Sequence, residues 1–337
     1  MTNRQIIDVS TSTILRFILI ILGLYFVYLI RDVLVMVFIA LIIAAAIDGP
    51  VDWLARHKVR RVFGTAIVYI SVMAVFALFM YLIVPPLAGQ IKNLAVYFPE
   101  YLTKLGTEAQ IFVQKIGAEN LQKILDNIGG QLSEAASNIF GTAINIFGGI
   151  FNAVVILVIS IYLVVQDKSL KDFLANVIPE QHQTYVTGLA ERIQGKLGAW
   201  LRGQLLLMFI MGLLFYIGLV LMRVKFALTL ALLVGIFEIV PFVGPILAGA
   251  VAVLMTLGQS PFLALLVLIL SIVVHQLEGH IIVPQLMKRV VGLNPLVVII
   301  SLIIGVKIAG ILGAVVAVPL AAAISVLLKD FFVVRGR

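Results

Sequence analysis

The sequence predicts an all-α, polytopic membrane protein with about eight hydrophobic segments. Three observations carry this prediction. Apolar residues make up 62% of the chain and the mean hydropathy is +1.18, against about 45–50% apolar in soluble domains. Those residues come in long blocks without an amphipathic rhythm, and a soluble chain of this length has no interior for so many. Charged residues are only 12% of the chain and gather at the ends of the blocks.

In chain order, Ile14–Ile30 and Val33–Ile47 are the first two segments, joined by Arg31 and Asp32. The polar start, Met1–Thr13, precedes a run without a small-residue cleavage site, so that run reads as a retained helix rather than a signal peptide. The third segment, Val62–Val84, is expected to end at Pro85 and Pro86, and the fourth spans Ile139–Gln166. The fifth is Gly203–Met222, and the sixth region, Phe226–Leu257, is interrupted by Pro241 and Pro245. The seventh, Phe262–Val283, is expected to end at Pro284. The eighth region, Leu293–Leu328, is interrupted around Lys307–Gly310.

Four parts follow. Residues 1–84 hold three spanning helices, and 85–138 form an extramembrane segment. Residues 139–202 hold the fourth span and a connector, and 203–337 form the transport region and a C-terminal tail. In 85–138, Phe98, Leu102, Leu105, Ala109, Phe112 and Ile116 recur at helical spacing, as do Leu121, Ile124, Leu125, Ile128 and Leu132. That pattern is an amphipathic helix pair, read first as a cap lying on the membrane.

Lys and Arg in short loops orient the chain. Arg56, Lys58, Arg60 and Arg61 place the second loop in the cytoplasm, and both termini with it. Residues 85–138 then lie outside, with Lys residues balanced by Glu and Asp. Arg223 and Lys225 are the discordant pair. The net charge of +8 is thereby assigned to anionic lipid, and no basic stripe with stacking residues points to nucleic acid. With no cysteine present, disulfides and thiolate sites are excluded. Neither a P-loop nor an HExxH motif occurs, and no cofactor or metal is expected. Asp48 and Asp167 sit at segment ends, which argues against an intramembrane protease. The chain reads as a non-enzyme.

The interrupted regions carry the mechanism. Fifteen residues precede Pro241, about 22 Å of helix, short of the roughly 30 Å of a bilayer core. Proline removes an amide donor. The stretch Glu238–Pro245, with Gly244 among its residues, is therefore expected to leave backbone groups unpaired, tolerable at membrane depth only against protein or a wet cavity. The second region repeats this plan around Gly310. Ile246 and Leu247 with Val251–Val253 align with Ile311 and Leu312 and Val316–Val318, a match that apolar composition alone also produces. Two hairpins entering from opposite faces would put both tips near the midplane and mark a transporter substrate site. Two pairs of short spanning helices fit the same sequence.

Ionisable side chains inside apolar blocks are costly and mark function. Here they are Glu238, His275, Glu278, His280 and Lys307. His275 and Glu278 share a helix face. Lys307 needs a partner, and Glu238, Glu278 or helix-end carbonyls are the candidates.

The residues that carry these features also form a recognisable order. Gly203 and Gln204 open the fifth segment. The stretch EIVPFVGP spans Glu238–Pro245, and His275, Gln276 and Glu278 precede Pro284. GLNP spans Gly292–Pro295, with Asn294 before Pro295, and GILG opens at Gly310, with Pro319 beyond it. Together they resemble the autoinducer-2 exporter (AI-2E) family of bacterial permeases, densest from Arg202 onward. The resemblance implies an inner-membrane, oligomeric transporter. Members export the quorum-sensing signal autoinducer-2, and some exchange sodium or lithium for protons. The expected partners are thus a small polar solute, H+ or Na+, membrane lipid and further copies of the chain. The expected solute and ion site comprises Glu238, Pro241, Gly244, Pro245, His275, Gln276, Glu278, Asn294, Pro295, Lys307 and Gly310.

Overall fold

The computed structural model describes residues 11–104, 127, 149–166, 178–290 and 292–335. Among these there are helices and turns but no strand. The helices are α1 (Thr11–Leu29), α2 (Arg31–Arg56), α3 (Arg61–Lys104), α4 (Ile150–Val165), α5 (Glu180–Leu221), α6 (Ala227–Phe237), α7 (Val243–Leu257), α8 (Pro261–Leu277), α9 (Val283–Val290) and α10 (Pro295–Arg335). Five stretches are long and apolar enough to cross a membrane: Arg31–Arg56, Arg61–Ile83, Glu180–Leu221, Pro261–Leu286 and Pro295–Asp330. Ile14–Leu29, Phe151–Val165, Ala227–Phe237 and Val243–Leu257 are shorter apolar helices. The chain is therefore a multi-pass, all-α membrane protein.

Several expected boundaries move. Pro85 and Pro86 do not end α3, which runs on to Lys104. Its last turns include Phe98 and Leu102, while the rest of the expected amphipathic pair lies outside the described residues. From Glu180 on, the described part of the connector and the fifth segment form one helix of 42 residues, about 63 Å long. Pro284 does not end the seventh helix either. Between α8 and α9 the chain makes a π-helical segment, Glu278–Ile282, in which the Val283 amide bonds the Glu278 carbonyl. The wider turn lets the helix pass a residue that lacks an amide hydrogen and crowds the preceding turn.

Small residues set the closest helix crossings, as expected where lipid supplies no hydrophobic drive between helices. Gly198 of α5 lies so close to α2 that a Cβ would overlap the Ala45 carbonyl. Gly212 and Gly235 bring α5 and α6 together, and a Cβ on Gly235 would stand 2.9 Å from the Met208 carbonyl oxygen. Around these crossings Leu207, Met211, Phe215 and Leu219 of α5 pack with Leu230 and Val234 of α6, Ala248 and Ala252 of α7, and Val267 and Val274 of α8. A second cluster joins Ile42 and Ala45 of α2, Leu197 and Trp200 of α5, and Leu302, Ala314, Ala317 and Ala322 of α10.

Polar ties close the ends. Arg61 starts α3 and bonds three ways: to Asp48, to Asp52 at 2.7 Å, and through Nε to the Val164 carbonyl at 2.8 Å. One guanidinium thus joins α2, α3 and α4. Arg192 of α5 pairs with Asp330 of α10. At the other end of α5, the Gln259 side chain accepts from the Lys225 amide at 2.9 Å, clasping the α5–α6 turn to the α7–α8 turn.

Candidate functional site

Both interrupted regions fold as the sequence anticipates, into two helical arms about a break. In the first, α6 has 11 residues and α7 has 15, about 16 and 22 Å, so neither arm alone matches a bilayer core of about 30 Å. Pro241 lies in the break, whereas Pro245 stands in the first turn of α7, where a missing amide hydrogen removes no helix bond. In the second, α10 is non-helical at Ala309 and Gly310, and Gly310 has φ 58° and ψ −137°, a conformation open to glycine. Its two arms then fold against each other at Gly305 and Gly313, where a Cβ on either would overlap the other's carbonyl.

The first tip pairs several of its backbone groups internally, while the Phe242 amide in the break has no hydrogen-bond partner among the described residues. The Val240 amide bonds the Phe237 carbonyl at 3.1 Å, and the Gly244 amide bonds the Val240 carbonyl at 2.9 Å. The Val243 amide bonds the Pro241 carbonyl at 2.8 Å. That last bond closes a γ-turn around Phe242, with φ 65° and ψ −51°, a rare and strained form for a residue other than glycine. Gly244 permits the compaction, because a Cβ there would overlap the Phe237 carbonyl. Chain reversal in so few residues is what turns these carbonyls inward onto their own amides.

What remains unsatisfied is side-chain chemistry. Glu238, the residue that ends α6, is 0% exposed, and no donor reaches either of its carboxylate oxygens. Its electrostatic neighbour is the carboxyl group of Glu278, the first residue of the π segment. Gln204 of α5, 1% exposed, donates through Nε2 to the Glu238 carbonyl at 2.6 Å. Its Oε1 is buried and unpartnered. One helical turn before Glu278, half-buried His275 has a buried Nε2 without a hydrogen bond, and its ring lies near Gly249 of α7. An isolated buried charge costs several kcal/mol, so this cluster of oxygens is suited to a proton or a cation.

The expected site therefore separates into two groups. Glu238, Pro241, Gly244, Pro245, His275 and Glu278 belong to the first hairpin and the helix beside it. Gln276 is exposed, and its carbonyl accepts from His280 Nδ1 at 3.0 Å. Asn294 and Pro295 start α10: Asn294 Oδ1 accepts from the Leu296 amide at 2.9 Å, the bond of an N-cap, with proline at the favoured first position. Lys307 and Gly310 are exposed at the second tip. No ion pair joins Lys307 to either carboxylate among the described residues. The two hairpins meet instead at Val240, which packs into the cluster holding Leu302 and Ala314.

The first tip also has a definite height along α5. Gln204 stands two residues after Arg202, at the start of the apolar run of α5. About 26 Å of helix separates it from Leu221. Because Gln204 holds the Glu238 carbonyl, the tip lies near the Arg202 end of that run rather than at its middle. Gln204 was absent from the expected site. Its sequence signals are its place in the ordered motif that opens the fifth segment and an uncharged amide at the edge of an apolar block.

Residues 15–332 match the family described as AI-2E family transporter. Curated relatives carry the name "Putative transport protein", among them the following two. YueF of Bacillus subtilis is 26% identical over 94% of this chain and 85% of its own length. The protein sll0063 of Synechocystis sp. is 26% identical over 83% of this chain and 73% of its own length.

Proposed function

This chain belongs to the AI-2E transporter family, and we propose that it exports a small polar solute, with autoinducer-2 the favoured cargo, using an ion gradient. The observation that carries the coupling is the fully buried Glu238 with no donor on either oxygen and Glu278 beside it. A carboxyl pair with one member fully buried and the other partly buried exchanges a proton or a small cation with least disturbance, because either partner neutralises charge that the apolar surroundings disfavour. With the Val240, Val243 and Gly244 amides bonded internally, solute recognition falls mainly to the side chains of Glu278, His275 and Gln204, to the walls shaped by Pro241, Gly244 and Pro245, and to the unpaired Phe242 amide.

The position of the tip supports loading from the Arg202 side, which the distribution of Lys and Arg assigns to the cytoplasm. In this reading the protein sits in the bacterial inner membrane with both termini cytoplasmic, as a homo-oligomer. Flux into inside-out vesicles, measured against pH and sodium, tests the coupling. Glu238→Gln and Glu278→Gln are each expected to abolish the ion dependence. Unchanged pH and sodium dependence in both variants sinks it.

A second reading uses the same carboxylates without organic cargo, as a sodium (or lithium)/proton antiporter. It is favoured by the concentration of oxygen ligands at the tip, the donor type that hard cations take. Dye-reported exchange in vesicles lacking any organic solute distinguishes the two.

A further inference from the structure

The Gln204 amide makes one bond of the two that its position invites. Its Nε2 faces the Glu238 carbonyl at 2.6 Å. The opposite assignment would set two acceptors against each other, so the orientation is dictated by chemistry. The amide oxygen is then held in a fixed direction, buried and without a donor. An uncompensated buried amide oxygen costs roughly 1–3 kcal/mol. A structural clasp needs only the donor half of this group.

We infer that Gln204 is a direct ligand of the coupling ion, its Oε1 completing with the Glu238 and Glu278 carboxylates an all-oxygen site for a small monovalent metal cation such as Na+ or Li+. The inference rests on the proposal that those two carboxylates carry ion coupling. It adds a reason for selectivity. Two carboxyl groups alone are sufficient to hold a proton, which needs only one or two acceptors. A metal ion stripped of water needs several oxygens at once, and a neutral amide oxygen adds a ligand without adding a third negative charge. The bond from Nε2 to the Glu238 carbonyl sets the distance between this ligand and the residue whose carboxylate shares the ion. The π turn that begins at Glu278 brings the remaining carboxylate from α8. The three residues come from three helices, so a bound ion draws α5, the first hairpin and α8 together.

The experiment is 22Na+ binding to the purified full-length chain in lipid nanodiscs at fixed pH, with Li+ and K+ as competitors, paired with pH- and sodium-dependent flux in vesicles. Gln204→Met removes both halves of the amide, and Gln204→Glu keeps an oxygen at the same reach. In Gln204→Met the ratio of sodium to proton half-saturation is expected to rise about tenfold, the equivalent of one lost hydrogen-bond-scale ligand to a charge. In Gln204→Glu, whose buried carboxyl in its protonated form donates to the Glu238 carbonyl and keeps a free oxygen, the ratio is expected to stay within about threefold of wild type. Sodium binding unchanged in Gln204→Met overturns the inference, because the amide is then a clasp alone. So does a parallel loss of sodium and proton responses in both variants, the mark of a general structural fault. A wild-type chain without saturable 22Na+ binding overturns it too, and proton-dependent flux lost in Glu238→Gln would then still support carboxylate coupling. Flux and binding both intact in Glu238→Gln remove the coupling reading itself.

Discussion

Gly305 and Gly313 abut across the break in α10, each leaving no room for a side chain on the other: a Cβ on either would overlap the opposing carbonyl. Lipid gives two apolar arms no hydrophobic reason to associate, so their pairing depends on close backbone approach. Gly313→Ala is expected to destabilise the protein by roughly 1–3 kcal/mol, the usual cost of overpacking. Thermal unfolding in detergent measures it. Gly23→Ala, where nothing stands within 4 Å, serves as the control and should be near neutral.

Gly244 carries the corresponding constraint at the first tip. Gly244→Ala forces Phe237 and its carbonyl apart from the start of α7, which moves Glu238 next to it. Flux is expected to fall at least about tenfold, since small displacements of an aligned site cost that much or more. Flux equal to wild type, in protein of wild-type thermal stability, would show that the compact tip does not position the site.

Arg61 binds Asp48, Asp52 and the Val164 carbonyl from one planar group. Arg61→Ala is expected to cost about 1.5–3 kcal/mol, the scale of hydrogen bonds to charged groups. Arg61→Lys should recover only part of this, because an ammonium lacks the fork that reaches three acceptors in fixed directions. Full recovery by lysine in thermal unfolding would mean that charge alone holds the three helix ends.

Lys307 is exposed at the second tip and makes no ion pair with the Glu238 and Glu278 carboxylates among the described residues. Lys307→Met is accordingly expected to keep the pH and sodium midpoints of flux within about threefold of wild type. A shift as large as that of Glu238→Gln would instead establish the charge-balancing role that the sequence suggests.

The absence of native cysteine allows the tip depths to be read directly. Applied from the face opposite Arg202, a membrane-impermeant thiol reagent should react more slowly with Val243→Cys than with Lys225→Cys, which lies in the turn at the opposite end of α6. Equal rates from the same face would contradict a tip lying near the Arg202 end of α5.

By itself, the sequence determined that the protein is membrane-embedded, that two of its apolar regions break, and which residues break them. Pro241 and Gly310 were legible because a missing donor and a positive φ are properties of single residues. Glu238 and Glu278 were legible because any carboxylate inside an apolar block is expensive wherever it lies. Pro85, Pro86 and Pro284 were misleading for a related reason. Proline weakens a helix locally, but the chain around it decides whether the helix stops, continues, or widens into a π turn.

Only the tertiary structure decided which polar groups meet. Gln204 and Glu238 are 34 positions apart and share a hydrogen bond, while Lys307 stands away from both carboxylates. Helices that are apolar all round carry no stripe announcing which face will pack. In lipid that choice is made by close crossings at glycine and by the few polar atoms that must find partners. One of those atoms, the Gln204 amide oxygen, finds none among the described residues.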